Sequence, residues 1–290
     1  FSLLDKRFTD ILVQPARKRN EYSAFCSMVD SADIPEYSKI VFFGDRGYTS
    51  YNNFAHVIER GQFFLIRCND KRASGMMGHP VDILPAFDED ISLILTRSKA
   101  ITKYSRPELF SSYRYVYQNA PMDYLNDLTT EYDLSLRLLR IQLKDGFYEN
   151  IATNLPRDEF KTEDFEMLYH LRWSEENSFR DLKYSLCLKA FHSKKYDYIV
   201  QEVWARVILY NFSSSIIINV TIKREDCAYE YQANYSSALK TCRDFLRIHD
   251  GTTKINVESL IAQNIEPIRP GRTFARQHRF KLPMSFCYRH

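Results

Sequence analysis

The chain has 290 residues, a formal net charge of +3 and 44% hydrophobic residues. This length suits one large domain with an insertion, or two domains. The composition is that of a globular protein with a hydrophobic core, which excludes a disordered or fibrous chain. The small net charge identifies no partner, and the 20 Tyr and 20 Phe residues suit core packing first and contacts with bases or sugars second.

The first part of the chain alternates between strand-like and helix-like patterns. The predicted strands lie at residues 1–4, 9–14, 39–44 and 62–68. The predicted helices lie at about residues 20–30 and 50–60. Asn20 is the expected N-cap of the first helix, and the two later strands are continuous apolar runs that suit burial on both faces. This alternation is typical of an α/β fold.

The pattern changes after residue 68. Short β-like pieces follow, and the longest of them, at residues 134–143, loses its alternation between Leu138 and Leu139, which predicts a β-bulge there. Lys144-Asp145-Gly146 predicts a hairpin turn into a returning strand. The remaining predicted elements are a strand at residues 91–96, the returning strand at 148–153, and helices at about 162–184, 199–219 and 236–246.

The cysteines and the most apolar stretch indicate in which compartment the protein is expected. The six cysteines form no CxxC pair and have no His at zinc-finger spacing, so reduced thiols are predicted and a structural zinc site is the weaker alternative. The most apolar stretch, residues 203–220, contains Arg206 and two asparagines, which favours a buried helix over a membrane span. We therefore expect a cytoplasmic protein without membrane contact.

One predicted helix carries four polar residues on a single face. At about 100° per residue, Tyr169, Arg172, Glu176 and Lys183 fall within an arc of roughly 60°. A solvated face with a weak Arg172–Glu176 ion pair is one interpretation. The other is a phosphodiester site, in which the carboxylate holds a divalent metal and the cations bind phosphate. Geometry leaves both open.

Asp45 is the second candidate residue. It follows the apolar run at residues 39–44, at the carboxyl end of the predicted strand, where α/β sheets place their sites. A turn-forming Asp is the alternative interpretation. A carboxylate at a strand end and another on a later helix are what a two-metal nuclease needs, since each hard cation takes several oxygen ligands.

These residues match a known family. The pattern Y-x-x-R-x-x-x-E-x-x-x-x-x-x-K within LYHLRWSEENSFRDLK resembles the signature of bacterial insertion-sequence DDE transposases of the Tyr-Arg-Glu-Lys subgroup. FFGDRGYTSYN resembles the segment around the second catalytic Asp of that family. FTDILVQPARKRNE, GFYENIATNL and IRPGRTFARQHRF are also similar, so the resemblance spans nearly the whole chain.

The resemblance implies an α/β fold with an RNase H-like core, interrupted by a β-rich insertion and followed by a helical C-terminal part. The corresponding segments are the first part of the core at 1–68, the insertion at 69–144, the second part with the Glu-bearing helix at 145–220, and a helical region with a basic tail at 221–290.

The resemblance also implies an activity, namely metal-dependent cleavage and strand transfer of double-stranded DNA at transposon ends. Asp45 and Glu176 would bind Mg²⁺ or Mn²⁺, with two ions in the complete site. Tyr169, Arg172 and Lys183 would contact DNA phosphates, and the family likeness suggests a homodimer on paired transposon ends that joins them to target DNA.

The C-terminal tail has a strong basic bias. From residue 267 to 290 there are six Arg or Lys residues and no acid, and Arg272, Arg276 and Arg279 are the candidates for DNA contact. A solvated tail without a ligand explains the same composition. The sequence leaves these alternatives open.

One departure from the family pattern concerns the third carboxylate. The family places it on the first strand of the core, and three strands are needed before the helix at Asn20, whereas two are predicted here. We therefore expect the first Asp upstream of Phe1, with Asp5 and Asp10 as poorer candidates, and little cleavage by this chain alone. A non-catalytic DNA-binding remnant, or a host protein derived from a transposase, is the alternative function.

Overall fold

A computed structural model describes residues 1–99, 112–144, 146–222, 229–248 and 255–268. These residues divide into two compact units, and each is described by itself. The first unit is Gln14–His170. The second combines the N-terminal segment Phe1–Val13 with Leu171–His290.

The unit Gln14–His170 contains a mixed sheet flanked by helices. Its helices are α1 (Glu21–Ser31), α2 (Tyr51–Glu59), α3 (Asp70–Met77) and the first part of α4 (Asp164–Tyr184). Its strands are β1 (Val41–Gly44), β2 (Phe63–Cys68), β3 (Phe87–Thr96), β4 (Tyr113–Tyr115), β5 (Glu131–Lys144) and β6 (Phe147–Thr153). The predicted α/β class is confirmed.

The six strands form one sheet in the order β1-β2-β6-β5-β3-β4. The pairs β1–β2 and β3–β4 are parallel, and the other pairs are antiparallel. Strands from the predicted first part of the core and from the predicted insertion therefore share one sheet. The RNase H-like core and the segment boundaries stay predictions.

Both faces of the central part of this sheet are covered, so β2, β5 and β6 carry buried apolar residues on both sides. Leu65, Leu139 and Ile151 pack on one face with Phe165 of α4. The neighbouring residues along each strand pack on the other face in a separate cluster with α1, α2 and α3. Double burial explains why the central strands lack a simple alternation of polar and apolar residues.

The bulge predicted between Leu138 and Leu139 is wrong. The pairing of β5 is continuous there, and the register shifts instead between Gln142 and Lys144. Both leucines are fully buried, each in the cluster on its own face of the sheet. The consecutive apolar residues reflect two covered faces and not an extra residue in the strand.

The unit Phe1–Val13 with Leu171–His290 is mainly helical. It contains the remainder of α4, then α5 (Tyr196–Asn219), α6 (Tyr235–Ile248) and α7 (Val257–Gln263). The short strands β7 (Tyr231–Ala233) and β8 (Ile265–Pro267) pair antiparallel. No helix among the described residues is long and apolar enough to cross a membrane.

The two strands predicted at residues 1–4 and 9–14 are wrong. The N-terminal segment has a single bridge, Ser2 to Arg7, and its backbone bonds to side chains of α5. The amide of Asn211 donates to the Phe8 carbonyl and its oxygen accepts the Phe8 N–H, at 2.8 and 2.9 Å. These side chains take the place of a partner strand. The expectation that the third carboxylate lies upstream of Phe1 was based on two strands before Asn20. Because neither strand forms, the strand count no longer supports that expectation.

Three of the cysteines behave as predicted. Cys26, Cys68 and Cys242 are buried free thiols, and burial raises the pKa of Cys68 to about 12, which keeps it protonated and unreactive. Cys187 is disulfide-bonded, so the prediction of six reduced thiols is wrong at that residue. Cys227 and Cys287 lie outside the described residues.

A buried histidine joins α1 and α2 to the loop before β5. His56 Nδ1 lies 2.8 Å from Asp30 Oδ1, and its Nε2 lies 2.9 Å from Asp123 Oδ2. Both ring nitrogens can donate to these carboxylates only in the protonated imidazolium form, so the two contacts favour that form. Burial lowers the pKa of His56, but the two carboxylates outweigh burial and raise it above its ordinary value. Tyr124 packs edge-on against the ring, and Cys26 lies beside both acids.

We expect stability to depend on this histidine at alkaline pH. Because its folded pKa is raised, its contribution is complete below about pH 6.5 and is lost as pH rises through the folded pKa. Hydrogen bonds from Asn52 and His56 lower the pKa of Asp123, so the pair also weakens in acid, as pH falls through that lowered pKa. Because Asp30 and Asp123 are about half exposed, we expect the free energy of unfolding to fall by only about 1 kcal/mol.

The test of this pH dependence is urea unfolding at pH 6 and pH 9. His56→Asn should flatten the difference between the two pH values, whereas the exposed control His79→Asn should keep it. An unchanged difference in His56→Asn would show that other groups set the pH dependence.

Candidate functional site around Asp45

Asp45 lies at the carboxyl end of β1, as predicted. The strand ends at Gly44, where a Cβ atom would lie 2.9 Å from a side-chain carbon of Ile66, so only glycine permits the close approach of β1 and β2 there. The carboxylate of Asp45 caps the 3₁₀ turn that follows, and its Oδ1 accepts the Arg46 N–H at 2.8 Å. The turn-forming role is thus confirmed, yet the side chain is still 57% exposed.

Two arginines connect Asp45 to a glutamate, Glu149. Arg67 donates from Nη1 to Asp45 Oδ1 at 3.2 Å and from Nε and Nη2 to Glu149 at 2.8–3.1 Å. Arg46 donates to Glu149 from the other side through Nε and Nη2. The side chain of Glu149 is only 7% exposed, so both guanidinium groups compensate its buried charge.

Tyr169 belongs to the same cluster. Its side chain is buried, its hydroxyl donates to Glu149 Oε2 at 3.4 Å, and the Arg67 guanidinium lies 5.4 Å from the centre of its ring. Asp45 and Tyr169, which are far apart in sequence, are therefore joined through Arg67. This packing is favourable because a planar guanidinium stacks well on an aromatic face.

A cavity of about 480 Å³ opens beside the turn that follows Asp45. Its lining includes Thr49, Tyr51, Lys71 and Arg72. The side chains of Lys71 and Arg72 are exposed and form no ion pair within the described part of the chain. Two cations in the lining of this cavity favour an anionic ligand there.

The chain is similar to a known protein family. A family model described as a transposase DDE domain matches residues 1–212. The chain belongs to this family. No curated protein matches the chain closely enough to count as a relative. Transposase function, a DNA substrate and the use of divalent metal ions are properties of the family as a whole.

The other predicted site residues of this DDE domain belong to the other unit or lie outside the described residues. Glu176 and Lys183 belong to the second unit, where both are exposed on α4, and Lys183 Nζ lies 5.7 Å from the centre of the Phe179 ring. Only the backbone of Arg172 is described, within the same helix. The predicted tail residues Arg272, Arg276 and Arg279 lie outside the described residues.

Two carboxylates of this DDE domain have the chemistry that a divalent cation needs. Asp45 and Glu176 are exposed hard oxygen donors, and no hydrogen bond reaches Asp45 Oδ2 within the described ranges, so one oxygen is open to a metal. Among the same residues there is no group of three or more His, Cys, Asp and Glu side chains that could hold a metal. The chemistry of both residues fits Mg²⁺ or Mn²⁺ as individual ligands.

Sequence reasoning did not single out Arg46, Arg67 or Glu149. A signal for two of them was present, because Arg67 interrupts the apolar strand FFLIRC and Glu149 is an acid that precedes the buried run NIAT of its strand. A charge in such a strand needs a partner of opposite sign. Which partner it finds depends on how β2 pairs with β6.

Proposed function

We propose that this transposase domain belongs to the Tyr-Arg-Glu-Lys subgroup and cleaves DNA at transposon ends before joining the freed 3′ ends to target DNA. The observation that carries the proposal is the environment of Asp45. Its carboxylate follows the end of β1, accepts hydrogen bonds on Oδ1 from the Arg46 N–H and from Arg67, and belongs to a side chain that is 57% exposed. A fixed but exposed carboxylate is suited to a metal ligand.

In this proposal, Asp45 and Glu176 bind Mg²⁺ or Mn²⁺, with two ions in the complete site. When bound, such ions polarise the scissile phosphate and increase the nucleophilicity of the attacking oxygen. Lys183 and Arg172 bind DNA phosphates directly. The buried Tyr169 instead acts through Arg67, which lies over its ring.

The remaining parts of the proposal concern DNA and assembly. Lys71 and Arg72 beside the cavity, and the tail residues Arg272, Arg276 and Arg279, add further contacts with the phosphate backbone. We infer an RNase H-like core, a homodimer on paired transposon ends and a cytoplasmic location.

The test is a cleavage assay. The protein encoded by the complete gene is incubated with DNA that carries the ends of the element. With Mg²⁺ or Mn²⁺, we expect nicks at the element boundaries. Asp45→Asn and Glu176→Gln should each reduce the nicking rate at least about 100-fold, on the scale of losing one electrostatic contact to the reacting phosphate. Binding of the same DNA should persist in both variants.

Matched controls are the exposed carboxylates Asp33→Asn, which precedes β1, and Glu166→Gln, which lies on α4. Both should retain the parent rate. If the parent protein binds the DNA ends but never nicks them with either metal, the protein is instead a non-catalytic DNA-binding remnant or a host protein derived from a transposase.

A further inference from the structure

Glu149 lies where the sheet register holds it against Arg67. In the antiparallel pair β2–β6, Arg67 is opposite Ile151, so Glu149 is its diagonal neighbour on the same face of the sheet. Glu149 is also nearly buried, and so it must remain paired. The contact between Glu149 and Arg67 is therefore fixed by the fold.

Glu149 and Asp45 share one guanidinium unequally. Glu149 accepts three contacts from Arg67, at 3.1, 2.8 and 2.8 Å, including the bidentate face of the guanidinium. Asp45 accepts one, at 3.2 Å, from the remaining Nη1. Arg46, the residue next to Asp45, also directs its side chain to Glu149. Bidentate pairs are the stronger ones, so Glu149 holds the greater share of both cations.

We propose that Glu149 is a positioning residue that keeps Asp45 available for a divalent cation by binding the two arginines beside it. This inference rests on the proposed function, in which Asp45 is a metal ligand. Without the negative charge of Glu149, Arg67 and Arg46 would turn to Asp45, the other carboxylate whose charge acts on both. A bidentate Arg67–Asp45 pair would occupy both carboxylate oxygens and compete with the metal.

The position of Tyr169 adds to this arrangement. Its hydroxyl donates to Glu149 Oε2, the oxygen that Arg46 does not contact. Its ring supports the Arg67 guanidinium from one side. Both oxygens of Glu149 thus accept hydrogen bonds, which hold the carboxylate beside Arg67.

The experiment is a titration with Mn²⁺, in which the free ion is measured by electron paramagnetic resonance without DNA. Glu149→Gln keeps the shape of the side chain and removes its charge. We expect this variant to bind Mn²⁺ about 10–100-fold more weakly, the usual effect of losing a group that orients a metal ligand. The exposed control Glu89→Gln on β3 should bind like the parent protein.

A second substitution separates positioning from simple structural support. Arg67→Met, combined with Glu149→Gln, removes the guanidinium that would otherwise pair with Asp45, and it should restore most of the affinity for Mn²⁺. If Glu149 only stabilised the fold, the double variant would bind no better than Glu149→Gln. Circular dichroism monitors the fold of each variant.

The outcomes distinguish this inference from the proposed function. If Asp45→Asn abolishes Mn²⁺ binding but Glu149→Gln leaves it unchanged, the positioning role is overturned and the metal role of Asp45 stands. If Asp45→Asn binds Mn²⁺ like the parent protein, the metal role of Asp45 fails first.

Discussion

Asp88→Ala is expected to destabilise the unit Gln14–His170 by about 3–5 kcal/mol, because it leaves a buried guanidinium without its counter-charge. Arg137 on β5 is 3% exposed, and it donates from Nε to Asp88 at 2.7 Å and from Nη2 to the other carboxylate oxygen. Arg157 adds a second cation at 2.9 Å. Because Arg137 is almost completely buried, removing Asp88 leaves its charge uncompensated in the folded state.

The same ion pair fixes the start of α4. Arg137 Nη1 donates to the Phe160 carbonyl at 2.7 Å, the Thr162 hydroxyl donates to Asp88, and the Arg137 guanidinium lies 4.9 Å from the centre of the Phe165 ring. Loss of Asp88 should therefore loosen the segment that leads into α4. We expect faster amide hydrogen exchange at residues 156–168, beyond the change in urea unfolding.

Two further variants serve as controls for this prediction. Asp90→Ala removes an exposed partner of Arg157 on the same strand, and it should cost no more than about 1 kcal/mol. Asp88→Leu combined with Arg137→Met replaces the buried pair by apolar groups and should recover much of the loss. If Asp88→Ala is as mild as Asp90→Ala, water reaches Arg137 and the pair is not a buried one.

Local sequence patterns predicted those elements that depend only on residues close together in the chain. Asn20 caps α1 by accepting the Ser23 N–H at 3.1 Å, which depends on residues three apart. The end of β1 at Asp45 also follows from a short apolar run. The helix α3 was missed because it is short and mostly polar, with only Ala73 and Met76 buried, which leaves a weak helical pattern.

Contacts between distant residues could not be predicted in the same way. Glu149 meets Arg67 because β6 pairs with β2 in one register, and nothing near either residue specifies that register. The N-terminal segment has a strand-like pattern, yet Asn211, far along the chain, takes its backbone hydrogen bonds. The contact between Arg67 and Glu149 in the cluster around Asp45 thus depends on strand pairing that only the fold supplies.

Leu138→Ala and Leu139→Ala should each destabilise the sheet by about 2–5 kcal/mol, although the residues are adjacent on one strand. Both side chains are 0% exposed, and each belongs to a different cluster, on opposite faces of β5. In an ordinary half-buried strand, one of two neighbours would face water and its truncation would cost little. The exposed Leu128→Ala, with 97% of its surface accessible, is the control that should change the free energy of unfolding by less than about 0.5 kcal/mol.

A double-mutant cycle distinguishes two covered faces from a bulge. The milder changes Leu138→Val and Leu139→Val keep the double variant folded, since a pair of alanines would remove much of the total stability. Side chains in separate clusters should give free energies of unfolding that add within about 0.5 kcal/mol. A bulge would direct both leucines into one cluster, where shared neighbours couple them by more than that. Strong coupling would therefore contradict the continuous register of β5 on which the positions of β6 and Glu149 depend.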